Sequence, residues 1–329
     1  MDARHTNQPS PQPSRSFVIG GQYVGPGNRL RLEIPVARLP TGTYITLPIE
    51  VLHGPVEGPT AWVSAAVHGD ELNGVEIARM LLEKLTPSKL IGTLIVVPMV
   101  NGFGVINQSR YLPDRRDLNR SFPGSKTGSL ASRLAKLMMT EVVSRCQYGI
   151  DLHTGSNLRT NLPQIRGDMD DEETYECALA FGPPAIVHSD LRDGSLRAAA
   201  NAKGIKVLLY EAGEPNRFNH DSIRVGVNGV MRVLSFLNML KTPVKLPKRA
   251  PKMIRESTWV RAKRSGIVRL LVELGDEVHD GQQIGIIADV FGTEPKYLKA
   301  PYDGLVIGLS NNPIAHQGDG LVHVGRLGS

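Results

Sequence analysis

The chain has 329 residues, 41% of them hydrophobic and 21% charged, with two cysteines and a formal net charge of +6. This composition suits a soluble globular protein with one large core, or a large unit plus a small one. The Lys and Arg excess is scattered apart from the proline-punctuated 241–252, which argues against nucleic-acid binding. Two cysteines without CxxC spacing exclude a disulfide framework and point to a cytoplasmic protein.

No window approaches 18 consecutive apolar residues, so no membrane span is expected. Residues 1–16 are rich in Pro, Ser and Gln and read as a disordered tail rather than a signal peptide. Over 17–56, "RLRLEIPVARL" and "YITLPIEVLHG" alternate as antiparallel strands do. From residue 60 the rhythm changes. "TAWVSAAVH" reads as a buried strand, and "LNGVEIARMLLEKL" has apolar residues at helical spacing. "GTLIVVPMV" is strand-like, and "SLASRLAKLMMTEVVSR" is an amphipathic helix with Ser129 as its N-cap. "YGIDLH", "PAIVHS" and "IKVLLYE" are three more short strands. "SLRAAANAKG" and "GVNGVMRVLSFLNML" are helices around the last of these. Strands alternating with helices predict an α/β fold, a mixed and largely parallel sheet flanked by helices.

The texture changes again after residue 253. "GIVRLLVELGDEVHDGQQIGIIADVFG" and "APYDGLVIGLSNNPIAHQGDGLVHVG" place short β segments between Gly-Asp or Asp-Gly turns. The expected organisation is therefore a catalytic unit at 17–240, a linker at 241–253 and a smaller all-β unit at 254–329. Such a β unit suits substrate access or homo-oligomerisation.

The chemistry gathers at strand ends, where ligands collect in open α/β sheets. "AVHGDELNG" delivers His68 and Glu71 into a turn that enters a helix, where both can face one point. "YGIDLHTGS" ends a second strand with His153. Two histidines and a glutamate are zinc ligands that leave one coordination position for water, the pattern of a catalytic site. Asp151, two residues before His153, is placed to support it. A third strand end, "VLLYEAGEP", offers Glu211 as general base, with Glu214 as a competing candidate in the loop beyond. The loop "SRYLPDRRDLNRSFPG" concentrates Arg110, Arg115, Arg116 and Arg120 around Asn119. An arginine fork with an amide suits a substrate carboxylate.

"HGDE", "DLNRSFPG", "DLHTGS" and "YEAGE" occur in the order and character of the succinylglutamate desuccinylase/aspartoacylase family, which the chain resembles over roughly 60–240. This family is a branch of the zinc carboxypeptidase group. The resemblance implies one Zn²⁺ per chain on His68, Glu71 and His153, with Glu211 as the catalytic glutamate. It implies Asn119 and Arg120 as the substrate-carboxylate pair. It also implies an arginine that polarises the scissile carbonyl, matched by Arg110 or, given the longer spacing here, by Arg115 or Arg116. Arg197 in "SLRAAA" corresponds to a further substrate-binding arginine. The β unit resembles the barrel-sandwich domain of the family's predicted deacylases. It lacks a biotinyl or lipoyl acceptor, since Lys296 and Lys299 have the wrong neighbours. "YEAGEP" departs from the "ELGG" of many relatives, so the pocket beside Glu211 is expected to be reshaped. The implied reaction is zinc-dependent hydrolysis of the amide in an N-acyl amino acid. The alternatives are a zinc carboxypeptidase acting on short peptides and a non-catalytic ligand-binding relative.

Overall fold

The computed structural model describes residues 15–38, 40–246 and 249–328. Most of the expected disordered tail, residues 1–14, lies outside them. A hairpin of β1 (Phe17–Ile19) and β2 (Gln22–Val24) precedes the long antiparallel pair β3 (Arg29–Arg38) and β4 (Tyr44–His53). The alternating part follows as β5 (Thr60–Ala65), α1 (Asn73–Lys84), β6 (Thr93–Val97), the short α2 (Gly102–Ile106), α3 (Leu130–Glu141) and β7 (Tyr148–His153). It continues with β8 (Arg159–Gly167), α4 (Glu172–Phe181), β9 (Ala185–His188), α5 (Leu196–Asn201), β10 (Lys206–Gly213) and α6 (His220–Phe236). Ser129 caps α3 as its sequence predicts, accepting a hydrogen bond from the Ser132 amide. No helix among the described residues is long and apolar enough to cross a membrane.

Strands β10, β7, β5 and β6 lie side by side and parallel, with β4 and β3 antiparallel at one end and β8 antiparallel at the other. Buried side chains alternate between the two faces. Val63, Leu152 and Leu208 pack under α1, α4 and α6, whereas Trp62, Ile95 and Val207 pack under α3, α5 and the N-terminal hairpin. Both faces are covered, which is why these strands read as continuous apolar runs. Trp62 is fully buried, and its ring lies against Gly149, where a Cβ would overlap the indole. Gly149→Ala is therefore expected to lower unfolding free energy by about 3 kcal/mol, the cost of overpacking a tight core. Urea unfolding of the two proteins measures it, and equal midpoints would contradict the packing argument.

Three elements stand where the reading of the sequence assigned nothing, the short α2, β8 and α4. Helix α6 also begins earlier than "GVNGVM", at His220, with Asn219 as its cap. The C-terminal strands are β11 (Lys252–Ile254), β12 (Ser257–Arg261), β13 (Gly266–Leu270), β14 (Glu277–Val278), β15 (Gln283–Ala288), β16 (Lys296–Lys299), β17 (Gly304–Ser310), β18 (Ile314–Ala315) and β19 (Gly320–Arg326). They enclose a cluster of their own around Ile284, Ile287, Val306 and Val322. One group joins the main sheet: β17 pairs antiparallel with the first half of β8, while β9 pairs parallel with its second half. The sheet therefore runs without interruption from β3 to β12.

Candidate active site

The carboxyl ends of β5, β7 and β10 are neighbours, and the candidate residues collect there. His68 and Glu71 stand in the turn between β5 and α1, and His153 is the last residue of β7. All three are buried. His68 Nδ1 and His153 Nδ1 each lie 2.7 Å from a different oxygen of Glu71. The three ligand atoms fall within 4.8 Å of one another, a donor set that suits a divalent metal ion.

Each imidazole is also held from behind. His153 Nε2 contacts Asp151 Oδ2 at 2.8 Å, as the strand spacing predicts. Asp151 in turn accepts from Ser64 Oγ at 2.7 Å, and Ser64 from the Trp62 indole at 3.2 Å. His68 Nε2 contacts Asp117 Oδ1 at 3.2 Å. With both Nε2 atoms engaged by carboxylates, both Nδ1 atoms face one point, the tautomer arrangement of metal-bound histidines. Burial opposes charge on both rings. Glu71 and Asp117 nevertheless hold the His68 pKa above the usual histidine range, and Asp151 and Glu71 do so for His153. Burial likewise opposes ionisation of Glu71, but the two imidazoles keep its carboxyl well below the usual range. Asp70, between the two ligands in sequence, is not part of the cavity lining.

Glu211 is directly across from His153 in the parallel β10–β7 pair. It opens into the same cavity, about 410 Å³ in volume, as the His–Glu–His cluster. Two residues on β8 hold it: Asn161 Nδ2 donates to Oε2 at 2.8 Å, and Arg166 Nη1 lies 3.4 and 3.5 Å from the two oxygens. Glu214 is bound elsewhere, to Arg217 and Asn311, and is absent from the cavity lining.

Among the three candidates for the carbonyl-polarising arginine, Arg110, Arg115 and Arg116, Arg110 reaches the cavity. Its Nη2 pairs with Asp117 Oδ2 at 2.9 Å, and its Nη1 lies 3.3 Å from Glu71 Oε1. Arg116 instead faces solvent beside Asp114, and neither Arg115 nor Arg116 lines the cavity. Asn119 and Arg120 both line it. Asn119 Oδ1 accepts from the Leu196 amide at 2.9 Å, tying the loop to the start of α5. Burial lowers the pKa of Arg120, yet its guanidinium keeps its charge at neutral pH. Arg197 also lines the cavity but spends its donors on the Ser189 carbonyl and hydroxyl and the Asp190 carbonyl.

Among the residues of this cavity or its support that were not singled out from the sequence are Asp117, Arg159, Asn161, Arg166, Trp259 and His323. Only Asp117 had a visible signal, since it opens "DLNR" and caps the short turn through the Asn119 amide. Trp259 and His323 come from β12 and β19 and form part of the cavity wall. Burial, with Arg166 and Arg159 nearby, pushes the His323 pKa down to about 3. Below about pH 6.5 the unfolded chain therefore takes up a proton at this histidine that the folded chain refuses, so stability falls as pH drops from there towards 3. Between pH 6.5 and 5, His323→Gln is expected to flatten this loss by up to about 1.4 kcal/mol per pH unit. Chemical unfolding across that range tests it, and identical slopes for the two proteins would contradict the assignment.

Fold and site together define a mixed α/β protein whose parallel strand ends carry a His–Glu–His cluster suited to a divalent metal ion. The sequence model of the succinylglutamate desuccinylase/aspartoacylase catalytic domain matches residues 57–237, more than half of the chain, and the chain belongs to that family. N-alpha-acetyl-L-2,4-diaminobutyric acid deacetylase from Halomonas elongata is 28% identical over 284 residues, covering 82% of this chain and 83% of that protein. The crystal structure of a succinylglutamate desuccinylase/aspartoacylase from Rhodobacter sphaeroides superposes with a TM-score of 0.82 at 26% identity, covering 92% of this chain and 96% of that one. The product-bound ectoine utilization protein EutE from Ruegeria pomeroyi shares the fold with a TM-score of 0.81 at 23% identity, covering 90% and 95% of the two chains.

Proposed function

We propose that this protein is a zinc-dependent amidohydrolase that removes the acyl group from an N-acyl amino acid. The observation that carries this reading is the His68–Glu71–His153 cluster facing Glu211 across adjacent strands in one cavity. His68, Glu71 and His153 would hold the zinc ion, which would supply Lewis acidity to a carbonyl and to a water. Glu211 accepts the proton of the attacking water and returns it to the departing nitrogen. Asn161 and Arg166 orient its carboxylate for both transfers. Arg110 donates to the carbonyl oxygen as negative charge develops there. Asn119 and Arg120 bind the substrate carboxylate through an amide and a guanidinium.

The family membership and the Halomonas relative, named for removing an acetyl group from an amino acid, support the same reaction type. Residues 17–240 form the catalytic unit in this reading, and the 254–329 strands shape access to it. The two buried, unpaired thiols, Cys146 and Cys177, support a reducing, cytoplasmic setting.

The test presents matched N-acetyl amino acids and dipeptides to the zinc-loaded protein and follows release of free amine. Release from the N-acetyl series, abolished by chelation, is expected. Release from dipeptides alone would reassign the site to a carboxypeptidase, and binding without release from either would make it a ligand-binding relative.

A further inference from the structure

The wall opposite the His–Glu–His cluster is built by β8 and the C-terminal strands together. In the β10–β8 pair, Glu211 faces Gln164 but Gly213 faces Asn161, so β8 carries one extra residue between them. That bulge resets the side-chain alternation. Arg159 and Asn161 before it and Arg166 after it consequently all line the cavity. The same row continues outwards: Asn161 pairs with Gly308 of β17, Gly308 with His323 of β19, and His323 with Trp259 of β12. Gly308 keeps the row open, since a Cβ there would come within 3.0 Å of Asn161 Oδ1 and 3.2 Å of His323 Cβ.

The guanidinium groups on this cavity differ in what already occupies them. Arg166 is engaged by Glu211, Arg110 by Asp117, and Arg197 by backbone carbonyls and a hydroxyl. Arg159, like Arg120 and Arg192 on the same cavity, has no carboxylate within ion-pairing distance among the described residues, and it is set apart by its aromatic support. Its guanidinium instead lies over the Trp259 ring, 4.5 Å from the centroid. Trp259 is stacked on His323 with centroids 4.7 Å apart and planes 12° from parallel, and His323 is anchored to Ser257 Oγ at 2.9 Å. An aromatic face fixes a guanidinium without neutralising it, which leaves its N–H edge free for an anion.

We infer that Arg159, held in place by Trp259 and His323, is a subsite for a second anionic group of the substrate. Resting on the reading of the site as an N-acyl amino acid amidohydrolase, this assigns a substrate that carries two carboxylates. One goes to Asn119 and Arg120, the other to Arg159. The second carboxylate belongs either to the amino-acid side chain or to a dicarboxylic acyl group. A substrate with an ammonium group at that end meets like charge instead.

The experiment compares kcat/KM for four zinc-enzyme substrates: N-acetylglutamate, N-succinylalanine, N-acetylalanine and Nα-acetyl-2,4-diaminobutyrate. At least one diacid is expected to exceed N-acetylalanine by tenfold or more, and whichever diacid it is identifies the source of the second carboxylate. The diaminobutyrate compound is expected to be the poorest. In Arg159→Gln the diacid-to-neutral ratio should collapse towards one, and Trp259→Leu should lower it in the same direction. A parent ratio near one, or a ratio unchanged in Arg159→Gln, overturns the subsite. Calorimetric binding of glutarate against butyrate gives a readout independent of turnover. Glutarate binding that weakens tenfold or more in Arg159→Gln upholds the subsite even if no compound is hydrolysed, an outcome that would overturn the amidohydrolase reading alone. Equal binding of glutarate to both proteins overturns the subsite. Circular dichroism of each variant separates these outcomes from misfolding.

Discussion

Glu211→Gln is expected to leave the protein folded and its metal content unchanged while lowering turnover by about three orders of magnitude or more, the scale for losing a general base that acts in both proton transfers. The substitution preserves volume and keeps an oxygen for the Asn161 amide, which donates to the carboxylate at 2.8 Å. It removes the charge facing Arg166 and the capacity to take a proton. Glu211 is separate from the His68–Glu71–His153 ligand set, so metal occupancy is not expected to follow it. Single-turnover kinetics alongside elemental mass spectrometry provides the check. Activity within tenfold of the parent would remove Glu211 from the mechanism.

His153→Ala is expected to abolish metal binding and turnover together and to destabilise the fold as well. Removing the imidazole takes a ligand from the cluster and strands two buried carboxylates. Asp151, 1% exposed, would keep only the Ser64 hydroxyl, and one oxygen of Glu71 would lose its nearest partner. Breaking a buried charged pair by deleting one partner costs about 3–5 kcal/mol. Elemental mass spectrometry should find about one zinc per parent chain, the expected stoichiometry for one such ligand set, and none in the variant. Denaturant unfolding should show the stability loss even in metal-free protein. A variant that retains the parent's zinc would remove His153 from the ligand set.

How much of this was legible in the sequence depended on distance along the chain. His68, Glu71 and His153 announce themselves because each ends an apolar run, and an α/β sheet brings parallel strand ends together. Arg110, Asn119 and Arg120 were equally visible as a cluster. Which of Arg110, Arg115 and Arg116 enters the cavity, however, depends on the turn that leaves Arg116 in solvent. Strand β8 was hidden by its own irregularity. Pro163 interrupts the run, and the bulge breaks the alternation that identifies a strand. Helix α4 carried ordinary signals, Asp171 as N-cap and Gly182 in the left-handed conformation at its end, but these lay in a charged stretch with a weak apolar face. Trp259 and His323 looked like any strand residues. Their place beside Glu211 arises only when β17 docks on β8, a pairing between segments about 150 residues apart that no local pattern encodes.

The two tryptophans of the chain sit on either side of this chemistry. Trp62 is dry, with no exposed surface, and its indole N–H begins the relay through Ser64 and Asp151 to His153. Trp259 lies on the cavity wall between the C-terminal strands and Arg159. Intrinsic fluorescence of the unlabelled protein thus contains two built-in optical probes, a fully buried one linked through hydrogen bonds to His153 and a second one on the wall of the cavity.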